Sequence, residues 1–162
     1  MIHMIATFFY VGHLRPAPGT WGSLAALPVA WVIYTVGGVW VFLAALALVM
    51  PLGWWATRAD TAGAADHDPS EIVIDEVAGQ WLALAPVLIG AAHVGAAPLA
   101  LWPGWITAFA AFRLFDIWKP GPVGWADRRN DALGVMLDDI IAGALAAAVV
   151  VAAAALSHGV LV

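Results

Sequence analysis

Three long stretches of this chain contain no Asp, Glu, Lys or Arg. They run from Pro16 to Thr57, Val77 to Phe112 and Ile140 to Val162, or 42, 36 and 23 residues. A helix crossing the ~30 Å hydrocarbon core of a bilayer needs roughly 20 predominantly apolar residues. The first two stretches are each long enough for two such helices, and each has a break where the chain can reverse. The first break is Gly37-Gly38; the second runs from Gly95 through Pro98 to Pro103-Gly104. The pattern predicts an all-α fold: one polytopic membrane helical bundle over residues 1–162, with about five transmembrane helices near 21–36, 38–57, 71–94, 104–119 and 135–157. Pro28, Pro51 and Pro86 fall inside these spans, where neighbouring helices can compensate for a lost hydrogen bond.

Composition closes off the alternatives. Of the residues, 64% are hydrophobic and 10% charged, against about 25% charged in ordinary soluble domains. A soluble domain is excluded, as is a disordered chain. Without cysteine there is no disulfide framework and no thiolate ligand or nucleophile. A net charge of −5 argues against a nucleic-acid partner. The start, MIHMIATFFYVGH, lacks the basic region and cleavage site of a signal peptide; it is too short to span and is expected to lie along the interface.

With five spans, all the charged residues fall on one side of the membrane. Because all six Lys and Arg are there, the positive-inside rule makes that side cytoplasmic. Trp40, Trp102 and Trp105 would then mark the far interface, and Trp54, Trp55, Trp118 and Trp125 the near one. Trp31 and Trp81 fall mid-span and do not fit a belt.

Four segments on the charged side carry candidate chemistry. Asp68-Pro69-Ser70-Glu71 reads as a helix start, which places Asp75 and Glu76 about two turns inside, beyond the reach of the helix dipole. Leu137-Asp138-Asp139-Ile140-Ile141-Ala142-Gly143 echoes Ile74-Asp75-Glu76-Val77-Ala78-Gly79, an acidic pair followed by a small-residue turn. Two helices would present carboxylates to a shared site, with Gly79 and Gly143 allowing close approach. Carboxylates at the edge of long uncharged runs need a partner. Without thiolates they suit a hard divalent ion, Mg²⁺ before Zn²⁺. Arg113, Asp116 and Lys119, spaced by three, read either as an ion-pair ladder or as an anion site in which Asp116 orients a cation or binds metal. Pro18-Gly19-Thr20-Trp21-Gly22-Ser23 opens the first span and reads as a helix cap or a phosphate cradle. Arg128 and Arg129 either bind lipid phosphate or set topology. The five histidines show no ligand spacing, and His67 reads as a loop residue. Gly143 and Ala147 suit packing within the chain or against a second copy, a homo-oligomer.

Together, Pro18–Ser23, Ile72–Trp81, Phe112–Pro120 and Gly134–Ile140 resemble, in order and over nearly the whole chain, the four blocks of the phosphatidylglycerophosphatase A family. The resemblance implies a Mg²⁺-dependent phosphatase of the bacterial inner membrane, acting at the cytoplasmic face on phosphatidylglycerophosphate to give phosphatidylglycerol and phosphate. It implies roles for Thr20, Asp75, Glu76, Arg113, Asp116, Lys119, Asp138 and Asp139. Asp75, Glu76, Asp138 and Asp139 are expected to hold Mg²⁺ and, with Asp116, to serve catalysis; Arg113, Lys119 and Thr20 are expected to bind phosphate. Two rivals come from other classes. A cation-coupled transporter would place its carboxylates near mid-bilayer, and a phosphotransferase joining an activated lipid to an alcohol would need a longer Asp pattern than this chain has.

Overall fold

A backbone in hydrocarbon must satisfy its own hydrogen bonds, and in the computed structural model of this chain all the regular structure among the described residues is helical. Described are residues 1–63, 69–129 and 131–160, for 158–160 the backbone alone. The expected cap Asp68, together with His67 and Asn130, lies outside them. The elements are α1 (Ile2–Ala6), α2 (Pro18–Asp60), α3 (Ile74–Val94), α4 (Trp102–Trp118), α5 (Pro122–Asp127) and α6 (Ala132–Val160). Three stretches are long and apolar enough to cross a membrane: Pro18–Asp60, Ile74–Val94 and Ala132–Ser157. The protein is an all-α, membrane-embedded bundle.

The 43-residue α2 is broken at Gly38, whose φ of 73° and ψ of −175° are not helical. That positive φ carries little penalty only for glycine. Gly22 packs so closely on Val73 that a Cβ there would stand 2.8 Å from it, and a Cβ on Gly53 would stand 3.3 Å from Ile74. Along one straight helix, the distance from Gly22 to Gly53 would be about 46 Å, too far for adjacent residues to touch both. The chain therefore folds back at Gly38, where the glycine pair suggested a reversal, and both ends of α2 lie beside the start of α3. Pro28, Pro51 and Pro86 are accommodated inside their helices.

The packing runs through the middle of the bundle. Phe42, Leu84, Leu88, Phe112 and Met136 are fully or almost fully buried. Gly79 and Gly143 bring α3 and α6 together as their spacing suggested: a Cβ on Gly143 would lie 2.4 Å from the Gly79 carbonyl oxygen. Gly143 thus packs within the chain. Trp81, out of place in an interfacial belt, is a core residue; its indole N–H donates to the Ala26 carbonyl at 2.9 Å and its ring lies against Phe42. Trp105, expected at the far interface, is also buried, and donates to the Pro98 carbonyl at 2.9 Å. Pro98 lies in the short 3₁₀ turn that leads into α4, so the ring staples that turn to the helix.

One expected helix start moves. α3 begins at Ile74, not at Pro69, because the backbone N–H of Val73 is taken by the carbonyl of Ala6 at 3.0 Å. The β-branched run Ile72-Val73-Ile74 is buried against the core, which favours a non-helical approach over another helical turn. The N-terminal segment is therefore docked on the protein. His3 Nδ1 lies 2.8 Å from Asp60 Oδ2, and the exposed rings of Phe9 and Tyr10 sit on a turn with left-handed backbone at Phe8, Phe9 and Tyr10.

Candidate active site

The later start of α3 changes the electrostatics of its acids. Asp75 and Glu76 lie in the first helical turn, where unsatisfied N–H groups and the positive end of the helix dipole favour negative charge. A second helix start lies beside them: a Cβ on Gly19, in the first turn of α2, would stand 2.1 Å from Glu76 Oε1. Two helix N-termini thus converge on these carboxylates. Adjacent helical residues point about 100° apart, but the longer Glu76 side chain makes up the difference. Carboxylate oxygens of Asp75, Glu76 and Asp139 lie within 4.8 Å of one another.

This triad fits a divalent ion. Its donors are all hard oxygens, the choice of Mg²⁺-type cations over soft ones. Asp75 and Asp139 are buried, and Glu76 Oε2 is buried without a hydrogen-bond partner among the described residues. Three carboxylates so close together, two of them on buried residues, repel one another unless a cation offsets them.

Arg113 supplies one positive charge. It comes from α4, forms an ion pair with Asp116 one turn on, and reaches Ser23 Oγ of α2 at 3.4 Å. The expected spacing of three ends there, because Lys119 caps α4 with a left-handed backbone (φ 50°) and leaves the helical face. Its ammonium pairs instead with Asp127 of α5 and with Asp138 of α6, the latter at 3.1 Å. Partial burial opposes that charge, but the hydrogen bond to Asp127 and the charge of Asp138 outweigh it and hold the lysine above its ordinary range.

The two neighbouring aspartates of α6 therefore divide. Asp139 joins the carboxylate triad and Asp138 joins Lys119. Thr20 is half-buried in the same helical turn as Gly19, yet it is Gly19 and Ser23 that meet Glu76 and Arg113. Ser23, Asp127 and the buried Gln80 had no assigned role in the sequence. For Gln80 a signal existed, an amide inside a 36-residue uncharged run. Arg129 and the backbone N–H of Gly134 bond to Asp131, which caps α6; the pairing holds its carboxyl below the ordinary range.

Fold and site define a membrane-embedded helical protein with a buried carboxylate cluster at one end of the bundle, flanked by Arg113 and Lys119. Asp75 and Glu76 stand in the first turn of α3 and Asp139 two turns into α6, so the cluster lies toward one end of the bundle. The profile of phosphatidylglycerophosphatase A matches residues 4–154, and the chain belongs to that family and is a phosphatase. The phosphatidylglycerophosphatase A of Haemophilus influenzae is 38% identical over 152 residues, covering 93% of this chain and 87% of its own length. That of Escherichia coli is 34% identical over 149 residues, covering 91% and 80%. A Bacteroides thetaiotaomicron protein, provisionally named a phosphatidylinositol-3-phosphatase, is 33% identical over 145 residues, covering 86% and 85%. No solved structure matches the chain.

Proposed function

We propose that this protein removes the terminal phosphate of phosphatidylglycerophosphate at the cytoplasmic face of a bacterial inner membrane, using Mg²⁺ held by Asp75, Glu76 and Asp139. The observation that carries the reading is the meeting of this triad with Arg113 and the start of α2 at one end of the bundle. The whole chain acts as one domain. The two halves of α2, then α3, α4 and α6, make five crossings. All Lys and Arg residues lie on the site's side, which is therefore the inner one.

The residues divide the work by charge. Arg113, held by Asp116, faces the phosphate and opposes its negative charge as it grows in the transition state. Lys119 adds a second positive charge, with Asp138 and Asp127 fixing its position. The first turn of α2, with Thr20, offers N–H and hydroxyl donors to a phosphate oxygen. Asp75, Glu76 and Asp139 hold the metal and accept protons at the reacting centre. Mg²⁺ bound there supplies a Lewis acid for the phosphate oxygens and lowers the pKa of a bound water.

The test is phosphate release by the detergent-solubilised protein, with and without Mg²⁺, from phosphatidylglycerophosphate and from phosphatidylinositol 3-phosphate. The reading expects Mg²⁺-dependent release, faster from the glycerol phosphate by at least about tenfold in kcat/KM, or about 1.4 kcal/mol. Undiminished release in excess chelator contradicts the metal assignment. Preference for the inositol lipid contradicts the substrate.

A further inference from the structure

The amide of Gln80 has no part in the scheme above. Gln80 is fully buried, at 0% exposure, and neither Oε1 nor Nε2 has a hydrogen-bond partner among the described residues. Buried amides are nearly always hydrogen-bonded, and a leucine would fill this place without that demand. Gln80 follows Glu76 by four residues, so the two share a helical face. Helical side chains lean toward the N-terminus, which brings the amide over the turn that carries Glu76.

Its chain neighbours fix the direction further. Gly79 faces Phe112 of α4 and the backbone of Asp139, while Trp81 faces Ala26 of α2. Gln80 lies about 40° round the helix from Glu76, on the side of α3 that faces the gap between the start of α2 and Arg113 of α4. In that gap Glu76 meets Gly19 and Arg113 reaches Ser23. Two more buried atoms there have no partner among the described residues, Glu76 Oε2 and Arg113 Nε. An amide, a carboxylate oxygen and a guanidinium N–H provide the two to four polar partners that a buried water needs.

We propose that Gln80 is a positioning residue that holds a buried water against Glu76. The water accepts from Gln80 Nε2 and donates to Glu76 Oε2, fixing the carboxylate under Gly19. The inference rests on the role proposed for Glu76, and its test separates the two. Gln80→Leu, Gln80→Met, Glu76→Gln and the double variant Glu76→Gln/Gln80→Leu are compared for melting temperature, kcat and KM on phosphatidylglycerophosphate. Each Gln80 variant is expected to remain folded, because leucine and methionine fill the volume of the buried amide. Each is expected to lose about tenfold to a hundredfold in kcat with KM changed less than about threefold, the signature of an interaction lost at the reacting centre. On the Glu76→Gln background, Gln80→Leu should change kcat by less than about threefold, because residues acting as a unit are not additive. Lower melting temperatures in both Gln80 variants, with activity falling only as the folded fraction falls, would overturn the inference in favour of packing. Wild-type kcat in folded Gln80 variants would overturn it, and so would a loss that adds in full to that of Glu76→Gln. Wild-type turnover in Glu76→Gln itself would overturn the reading of the site and this inference with it.

Discussion

Gly19 contributes no side chain, yet the site depends on its having none. An alanine there would press its methyl onto Glu76 Oε1. The carboxylate is the mobile end of a flexible side chain, so it would swing away while the helices stay in place. Gly19→Ala should therefore keep its melting temperature but lose at least about tenfold in kcat, or about 1.4 kcal/mol; steady-state kinetics beside a thermal melt in detergent will check it, and wild-type turnover would count against the assignment of Glu76. The gathering of Asp75, Glu76 and Asp139 was legible in the sequence, because charged groups at the edge of an uncharged run need a partner. Asp138 and Asp139 were not separable there. Only the pitch of α6 against its neighbours sends one to Lys119 and the other to the triad. Gly19 and Ser23 stood in a recognisable block, but their roles depend on which helix the start of α2 packs against.

At the scale of elements, the crossing of α3 and α6 sets the distance between the two acidic segments. At Gly143 an added Cβ meets the backbone of Gly79, which cannot move aside without parting the helices. Gly143→Ala should lower stability by roughly 1–3 kcal/mol, as overpacking does. Gly90→Ala, where a Cβ would meet nothing within 4 Å, should leave the melt unchanged or raise it slightly. Equal melts for the two variants would contradict the close crossing. This contact was readable as a repeated Gly four residues after an aspartate. The start of α3 was not. Pro69 carries a local start signal, but the hydrogen bond from Val73 to Ala6, 67 positions earlier in the chain, overrides it. Lys119 shows the same limit: spacing by three assumes a helix that in fact ends one residue before it.

For the molecule as a whole, the charge-free stretches and the glycine pair were enough to give a helical bundle whose chain doubles back at Gly38. Tryptophan placement was less informative, since Trp81 and Trp105 are held by hydrogen bonds inside the protein. The five-crossing topology can be tested with single cysteines, because the chain has none of its own. Val36→Cys and Ser157→Cys, both at exposed positions, should react with an impermeant reagent from the periplasm, while Leu14→Cys should react only after permeabilisation. Protection of Val36→Cys alone would remove the reversal at the far side. The central claim is that Asp75, Glu76 and Asp139 together hold the metal that makes this bundle a phosphatase. It is tested most directly by the Mg²⁺ dependence of phosphate release from phosphatidylglycerophosphate in Asp75→Asn, Glu76→Gln and Asp139→Asn beside the wild type, each shown to be folded in detergent. Each variant should need at least about tenfold more Mg²⁺ for half-maximal rate and lose ~10²–10⁴ in kcat, as expected when several kcal/mol of transition-state stabilisation are removed. Wild-type Mg²⁺ dependence and near-normal turnover in all three folded variants would show that the cluster is structural and that the chemistry lies elsewhere.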